Sequence, residues 1–257
     1  MRALALGFSL LIGLLATSGA AYADASGKAL GVDQDARSET KAGVKQLVVG
    51  ADIFLGDKVV TDARGLVEIK FSDNTKLVVG PNSSLVIEDY LLRDDGSSGK
   101  LAINALSGTF RFVTGGAAKD RYLIKTPTGT IGVRGTGFDL TGDGRHFSVM
   151  LYHGAVVICN NAGKCVTLDD VCEIGMADLS DAVILGNGRE MNNQDREQMR
   201  GMFPYAVDES DLQGQFRIAR ARECLNRQVV PTVQEPDDSN PGPKYPDRQG
   251  GRQGGID

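Results

Sequence analysis

The chain contains no Trp and only two His, and five of its eight Pro fall at or after Pro231. Without Trp it lacks the side chain best suited to stacking on sugar rings. With two His it has few groups to act as a general base near neutral pH. There is no Gly-x-Ser-x-Gly in the mature chain and no His-Glu-x-x-His, so the common hydrolase and zinc-protease signatures are missing. Lys and Arg number 28 against 33 Asp and Glu, for a net charge of -5. That balance supplies no basic face, so nucleic acid is not an expected partner. Beyond the N-terminus no apolar stretch approaches the roughly 18 to 20 residues needed to cross a bilayer.

What is present begins with an export signal. Arg2 precedes an apolar run from Ala3 to Ala16, and Ala21-Tyr22-Ala23 stands before Asp24 as a cleavage-type sequence. Residues 1–23 read as a secretory signal peptide removed after Ala23. No Cys follows the run, which argues against a lipid anchor. The mature chain is therefore expected to be periplasmic or secreted and not membrane-spanning. Residues 24–42 are small and polar and read as a flexible arm.

From Gly43 to about residue 175, short apolar segments alternate with turn residues such as Asp73-Asn74, Pro81-Asn82 and Asp143-Gly144. This is the pattern of many short strands. Val67, Ile69 and Phe71 fall on one face of a strand and Glu68 and Lys70 on the other. Thr109 to Val113 turns Phe110 and Phe112 inward and Arg111 outward. Phe147, Val149 and Leu151 form another row, continued after His153-Gly154 by Ala155, Val157 and Cys159. The expected fold is mainly β, either a two-sheet β-sandwich or a flattened β-solenoid, with a small α-helical appendage in residues 176–230. Within it, Asn192 to Met202 and Asp208 to Gln228 read as helices, the second carrying Leu212, Phe216, Ile218, Ala219 and Leu225. Residues 231–257, rich in Pro, Gly, Asp and Gln, read as a disordered tail.

Several segments resemble the FecR domain. They are Gly50-Ala51-Asp52-Ile53, Gly56 to Thr61, Gly65 to Thr75 and Leu77 to Ser83, then Leu106 to Phe110, Thr126 to Thr130 and Val133 to Phe138. The resemblance spans roughly Gly43 to Ile158. It implies an all-β domain in the bacterial periplasm, where the best-known members relay transporter occupancy to a sigma factor. Those members carry a cytoplasmic region and a membrane helix, which this sequence does not show.

Thr126-Pro127 with Gly129, Gly132, Gly135 and Gly137 could be taken for a phosphate-binding loop. The glycines alternate with β-branched residues and do not open a helix, so they read as tight turns and close strand packing. Arg134, with Thr136 and Asp139 close by, is the expected structural clamp or ligand contact, because a guanidinium can tie together carbonyls or a carboxylate. Four cysteines in an exported chain favour disulfides, and three pairings are open. Cys159 with Cys165 across a hairpin, and Cys172 with Cys224, is the pairing expected. A metal site drawing on His146, His153 and some cysteines is the rival. The acid pairs Asp94-Asp95 and Asp169-Asp170 read as turn carboxylates, and no metal, cofactor or catalytic residue is expected. Two functions follow: a non-catalytic signalling-accessory module binding an envelope protein, or a polysaccharide- or cell-wall-binding module presenting Tyr90, Tyr122 or Tyr152.

Overall fold

The computed structural model describes residues 25–33, 35–92, 98–115 and 122–226. The signal peptide, the C-terminal tail and Asp94-Asp95 lie outside them. Met1–Arg227 forms one unit and Gln228–Asp257 another.

The β-branched and aromatic runs form fifteen strands among the described residues. They are Gly27–Asp33 (β1), Ala36–Thr40 (β2), Gly43–Gln46 (β3), Asp52–Ile53 (β4), Lys58–Thr61 (β5), Leu66–Phe71 (β6), Lys76–Val79 (β7) and Ser84–Leu92 (β8). Ser98–Val113 (β9), Tyr122–Thr126 (β10), Gly129–Gly142 (β11), His146–Asn160 (β12), Cys165–Leu168 (β13), Glu173–Asp178 (β14) and Ala182–Asn187 (β15) complete the set. All belong to one hydrogen-bonded sheet, antiparallel except where β10 runs parallel to β9.

That sheet makes two layers because its three long strands change neighbours halfway along. Up to Ser107, β9 lies between β8 and β10; from Gly108 onward it lies between β7 and β11. On either side of a register shift after Arg134, β11 pairs first with β10 and then with β9. The first half of β12 pairs with β14 and the second half with β13. One layer therefore runs β15-β14-β12-β11-β9-β7-β6-β1-β4 and the other β3-β2-β5-β8-β9-β10-β11-β12-β13. Their inner rows merge into a single apolar core. Phe112 of the first layer meets Tyr122 of the second edge-on, with centroids 5.8 Å apart. The architecture joins both expected forms: two layers face each other, and continuous strands bridge them.

Each crossing shifts the inward row by one residue. Leu101, Ile103 and Ala105 give way to Phe110 and Phe112, Ile131 and Val133 to Phe138 and Leu140, and Leu151 to Val156 and Ile158. The core row after His153-Gly154 is thus Val156 and Ile158, not the expected Ala155, Val157 and Cys159. The cause is Gly154, at φ 85°, where an added Cβ would stand 2.2 Å from the Gly135 carbonyl. Gly108, at φ 112°, plays the same part in β9, with Ser83 Oγ 2.1 Å from the position of a Cβ.

The described residues of 24–42, namely 25–33 and 35–42, are not an arm. β1 pairs with β4 and β6, and β2 with β3 and β5, so their backbone donors are spent in the sheet. The sheet also runs past residue 175, through β14 and β15. Asn193–Met202 is a helix (α1), capped by the Asn192 carboxamide accepting from the Asp195 amide at 2.9 Å. The second expected helix does not form. In its place stand a 3-10 turn at Gly214–Phe216 and a short helix at Glu223–Asn226 (α2). Asp208 accepts from the Ser210 amide in a local turn, Arg217 is extended and Arg220 sits at φ 68°. Phe216 and Ile218 are buried at period two, while Ala219 is exposed. The segment from α1 to α2 is a strap lying on the outer face of the first layer. It buries Met150, Tyr152 and Ile174 in one apolar cluster and Leu66 and Val78 in another.

Candidate functional site

Between those two clusters the strap covers a set of charged groups. Arg111 of β9 is 1% exposed and Asp139 of β11 fully buried, paired across neighbouring strands. The Arg111 fork donates to Asp139 through Nε at 2.7 Å and Nη2 at 3.0 Å, and through Nη1 to Glu209 of the strap. Tyr152 donates its hydroxyl to Asp139 at 2.6 Å, and the Ile218 amide donates to Glu209 at 3.0 Å. The rings of Tyr152 and Tyr205 lie 5.2 and 5.4 Å from the guanidinium carbon, within cation-π range. Burial alone would lower the Arg111 pKa. The Asp139 charge and hydrogen bonds, with Tyr152 and Glu209, outweigh it and hold the pKa above its ordinary value. Burial, reinforced by Asp139, pushes both tyrosines up.

A second tie lies beside this node. Glu68 of β6, also buried, accepts from the Gln213 amide at 2.7 Å, and Gln213 Nε2 donates to the Leu30 carbonyl at 2.8 Å. The room comes from a register shift in β1 and from Gly31, where a Cβ would lie 2.1 Å from Glu68 Oε2. Arg111, Glu68, Asp139 and Glu209 therefore fasten the strap to the sheet. Their closed geometry leaves no open face for a substrate.

Arg134 is not part of this clamp. Its side chain is exposed and makes no hydrogen bond or ion pair among the described residues. Thr136 is buried and exchanges main-chain contacts with Thr114: its amide donates to Thr114 Oγ1 at 2.9 Å. Of the three expected residues only Asp139 enters the node, and Arg111 supplies the guanidinium. Arg134-Gly135-Thr136 instead forms the bulge by which β11 passes between layers.

Both disulfides are present. Cys159 and Cys165 are cross-strand partners in β12 and β13, and Cys172 joins Cys224 of α2. The cysteines are thus committed and unavailable to a metal site with His146 or His153. Tyr122 and Tyr152 are buried with their hydroxyls on Asp73 and Asp139, so neither can stack on a sugar. The side chain of Tyr90 lies outside the described residues. The amides of Asp169 and Asp170 both donate to Glu173, as a turn.

Two open features remain. Among the described residues β3 pairs only with β2, and all four of its residues are exposed. Val44 within it is 68% exposed, and Val48, Val49 and Leu55 beside it are 60%, 65% and 56% exposed. A cleft of about 260 Å³ runs between Val44, Leu47 and Phe54. Elsewhere Arg189, Arg220, Arg222, Glu223 and Asn226 line a cleft of about 480 Å³.

Residues 57–157, spanning β5 to most of β12, match the family described as FecR protein. The chain carries a FecR domain. Two crystal structures of a candidate anti-sigma factor from Parabacteroides distasonis ATCC 8503 are similar, at 12% and 11% identity and TM-scores of 0.41 and 0.42. The matches cover 51% and 57% of this chain and 59% and 74% of those chains, less than two thirds of the first. No curated protein matches. No described helix is long and apolar enough to cross a membrane.

Proposed function

We propose that this FecR-domain chain is an exported, non-catalytic accessory in envelope signalling, and that it docks an extended segment of an envelope protein along β3. The observation that carries this reading is the free edge of β3, with exposed Val44 in it and Val48, Val49 and Leu55 beside it. An unpaired strand edge offers a ladder of amides and carbonyls to another chain, and adjacent apolar side chains give the added strand something to bury. Two disulfides favour an oxidising compartment, in keeping with the Arg2–Ala23 signal pattern. The carbohydrate reading is weaker because Tyr122 and Tyr152 are buried.

The test is a photo-crosslinking amino acid at Leu55 in living cells. We expect one discrete protein adduct that disappears when Val44→Lys and Val48→Lys are combined, with thermal stability unchanged. A crosslinking pattern unaffected by that pair, or an adduct that is glycan, would overturn the proposal.

A further inference from the structure

The arginine-lined cleft stands outside the node of Arg111, Asp139 and Glu209. We infer that it binds an acidic peptide segment of a partner through at least two carboxylates. This deepens the interaction reading by naming the chemistry of a second contact, made by residues other than those at β3.

Glu223 shows which ligand the cleft suits. It accepts from Arg220 Nε at 2.8 and 3.0 Å and from Arg189 Nη2 at 3.4 Å, so two guanidinium groups already converge on one resident carboxylate. Arg222, the third, is exposed; its side chain makes no hydrogen bond or ion pair among the described residues, and it acts on Asp208 only through its field. Three arginines face one Glu while the whole chain carries a net charge of -5. Against that net negative charge, the converging guanidinium groups make this cleft a place where an acidic ligand is attracted. The volume, about 480 Å³, is that of a pocket for several residues' side chains rather than for one small anion. An extended peptide places alternate side chains roughly 7 Å apart on one face, so one carboxylate can take Arg222 while the next competes with Glu223 for Arg220.

The cleft is also built to keep its shape. Arg189 follows Gly188, whose amide donates to the Cys172 carbonyl at 2.9 Å, and Cys172 is bonded to Cys224 beside Glu223. Arg196 of α1 reaches the Arg189 carbonyl at 3.3 Å. The walls thus come from the end of β15 and from α2, tied by a covalent link. Arg189 and Arg220, already held on Glu223, lose less freedom on binding than free surface side chains would.

The experiment is fluorescence anisotropy of the whole oxidised chain with a labelled peptide carrying Glu at alternate positions, at low and physiological salt. We expect saturable, salt-weakened binding. Arg222→Gln should weaken it at least about fivefold, because a charge-assisted contact is lost. Glu223→Gln, which removes the resident competitor and keeps an acceptor, should tighten it. Arg64→Gln, an exposed charge elsewhere, should leave it unchanged. Absence of saturation, equal losses for Arg222→Gln and Arg64→Gln, or weakening by Glu223→Gln would each overturn the inference. Tighter competition by inorganic tripolyphosphate than by the peptide would overturn the carboxylate assignment. Peptide binding alongside a failed crosslink at Leu55 would refute docking at β3 and leave this cleft standing.

Discussion

Replacing Arg111 by Met tests whether the buried node holds the strap. Met keeps much of the aliphatic stem but removes the only cation facing Asp139 and Glu209 in that node. Both carboxylates would then be buried without it, together with the Tyr152 hydroxyl that donates to Asp139. Removing one partner of a buried pair typically costs about 3 to 5 kcal/mol, since the other charge is left uncompensated. Two stranded carboxylates place Arg111→Met toward the upper end of that range. A domain has only about 5 to 15 kcal/mol of net stability, so the loss would be a large fraction of the whole.

The assay is urea unfolding of the oxidised protein. With a slope of about 2 kcal/mol/M, the midpoint should fall by on the order of 2 M. Arg134→Met is the matched control: exposed and without a partner, it should change stability by no more than about 0.5 kcal/mol. Adding Glu209→Met to Arg111→Met removes one stranded carboxylate and should recover at least about 1 kcal/mol of the summed single losses. A loss below about 1 kcal/mol for Arg111→Met, or an equal loss for Arg134→Met, would refute the assignment of the clamp to Arg111.

Three further perturbations probe other ties. The loop closed by Cys172–Cys224 has a sequence separation of 52 and that closed by Cys159–Cys165 one of 6, so chain entropy predicts losses of about 4 and about 2 kcal/mol for the paired Ser replacements. Equal losses in calorimetry would show that the long link does not restrain the strap as argued. Burial raises the Glu68 pKa, partly offset by the Gln213 amide and by Arg217. A raised folded-state pKa means that its stabilising contribution is complete below the unfolded value and declines as pH rises through the folded one. Glu68→Gln, which can still accept from Gln213, should therefore raise the melting temperature more at pH 7 than at pH 4; an equal change at both would count against it. Gly108→Ala should cost at least about 2 kcal/mol, from the positive φ and the overlap with Ser83, and a smaller loss in urea unfolding would mean that the crossing is pliable.

The alternation in the sequence located the core rows of β6, β9 and the first half of β12 correctly, because a period of two needs only local geometry. It also placed Arg111 and Glu68 on the opposite face. What the alternation could not show was that this face is covered, since the covering segment lies far along the chain and carries no regular period. Phe216 and Ile218 are buried at period two and Leu212 and Phe216 at period four, and Gly214 interrupts the second. A helical reading of that mixture followed the apolar spacing and missed the turn formed by Asp208 and Ser210. One signal was available: β12 reads Phe147-Ser148-Val149-Met150-Leu151-Tyr152 and β7 reads Leu77-Val78-Val79, nearly continuous in apolar character where β6 alternates. A strand buried on both faces has that appearance. The early strands were missed for the opposite reason, because Ala29, Ala36 and Ser38 are small enough to fill a core without raising hydrophobicity.

The family match and the folding unit therefore have different limits. A fragment cut to residues 57–157 would lose β1 from the edge of β6, β2 from β5, and β13 and β14 from the two halves of β12. It would also lose the strap, opening Arg111 and Asp139 to water and exposing Met150 and Val78. Gly108, Gly135 and Gly154, inside the match, serve the layer crossings, which any protein of this architecture needs whatever it binds. Specificity must then lie where the fold leaves surface free. With the outer face of the first layer covered by the strap, those places among the described residues include the edge of the second layer at β3, the edge at β15 with exposed Ile184 and Leu185, and the strap's own outward side at Arg222.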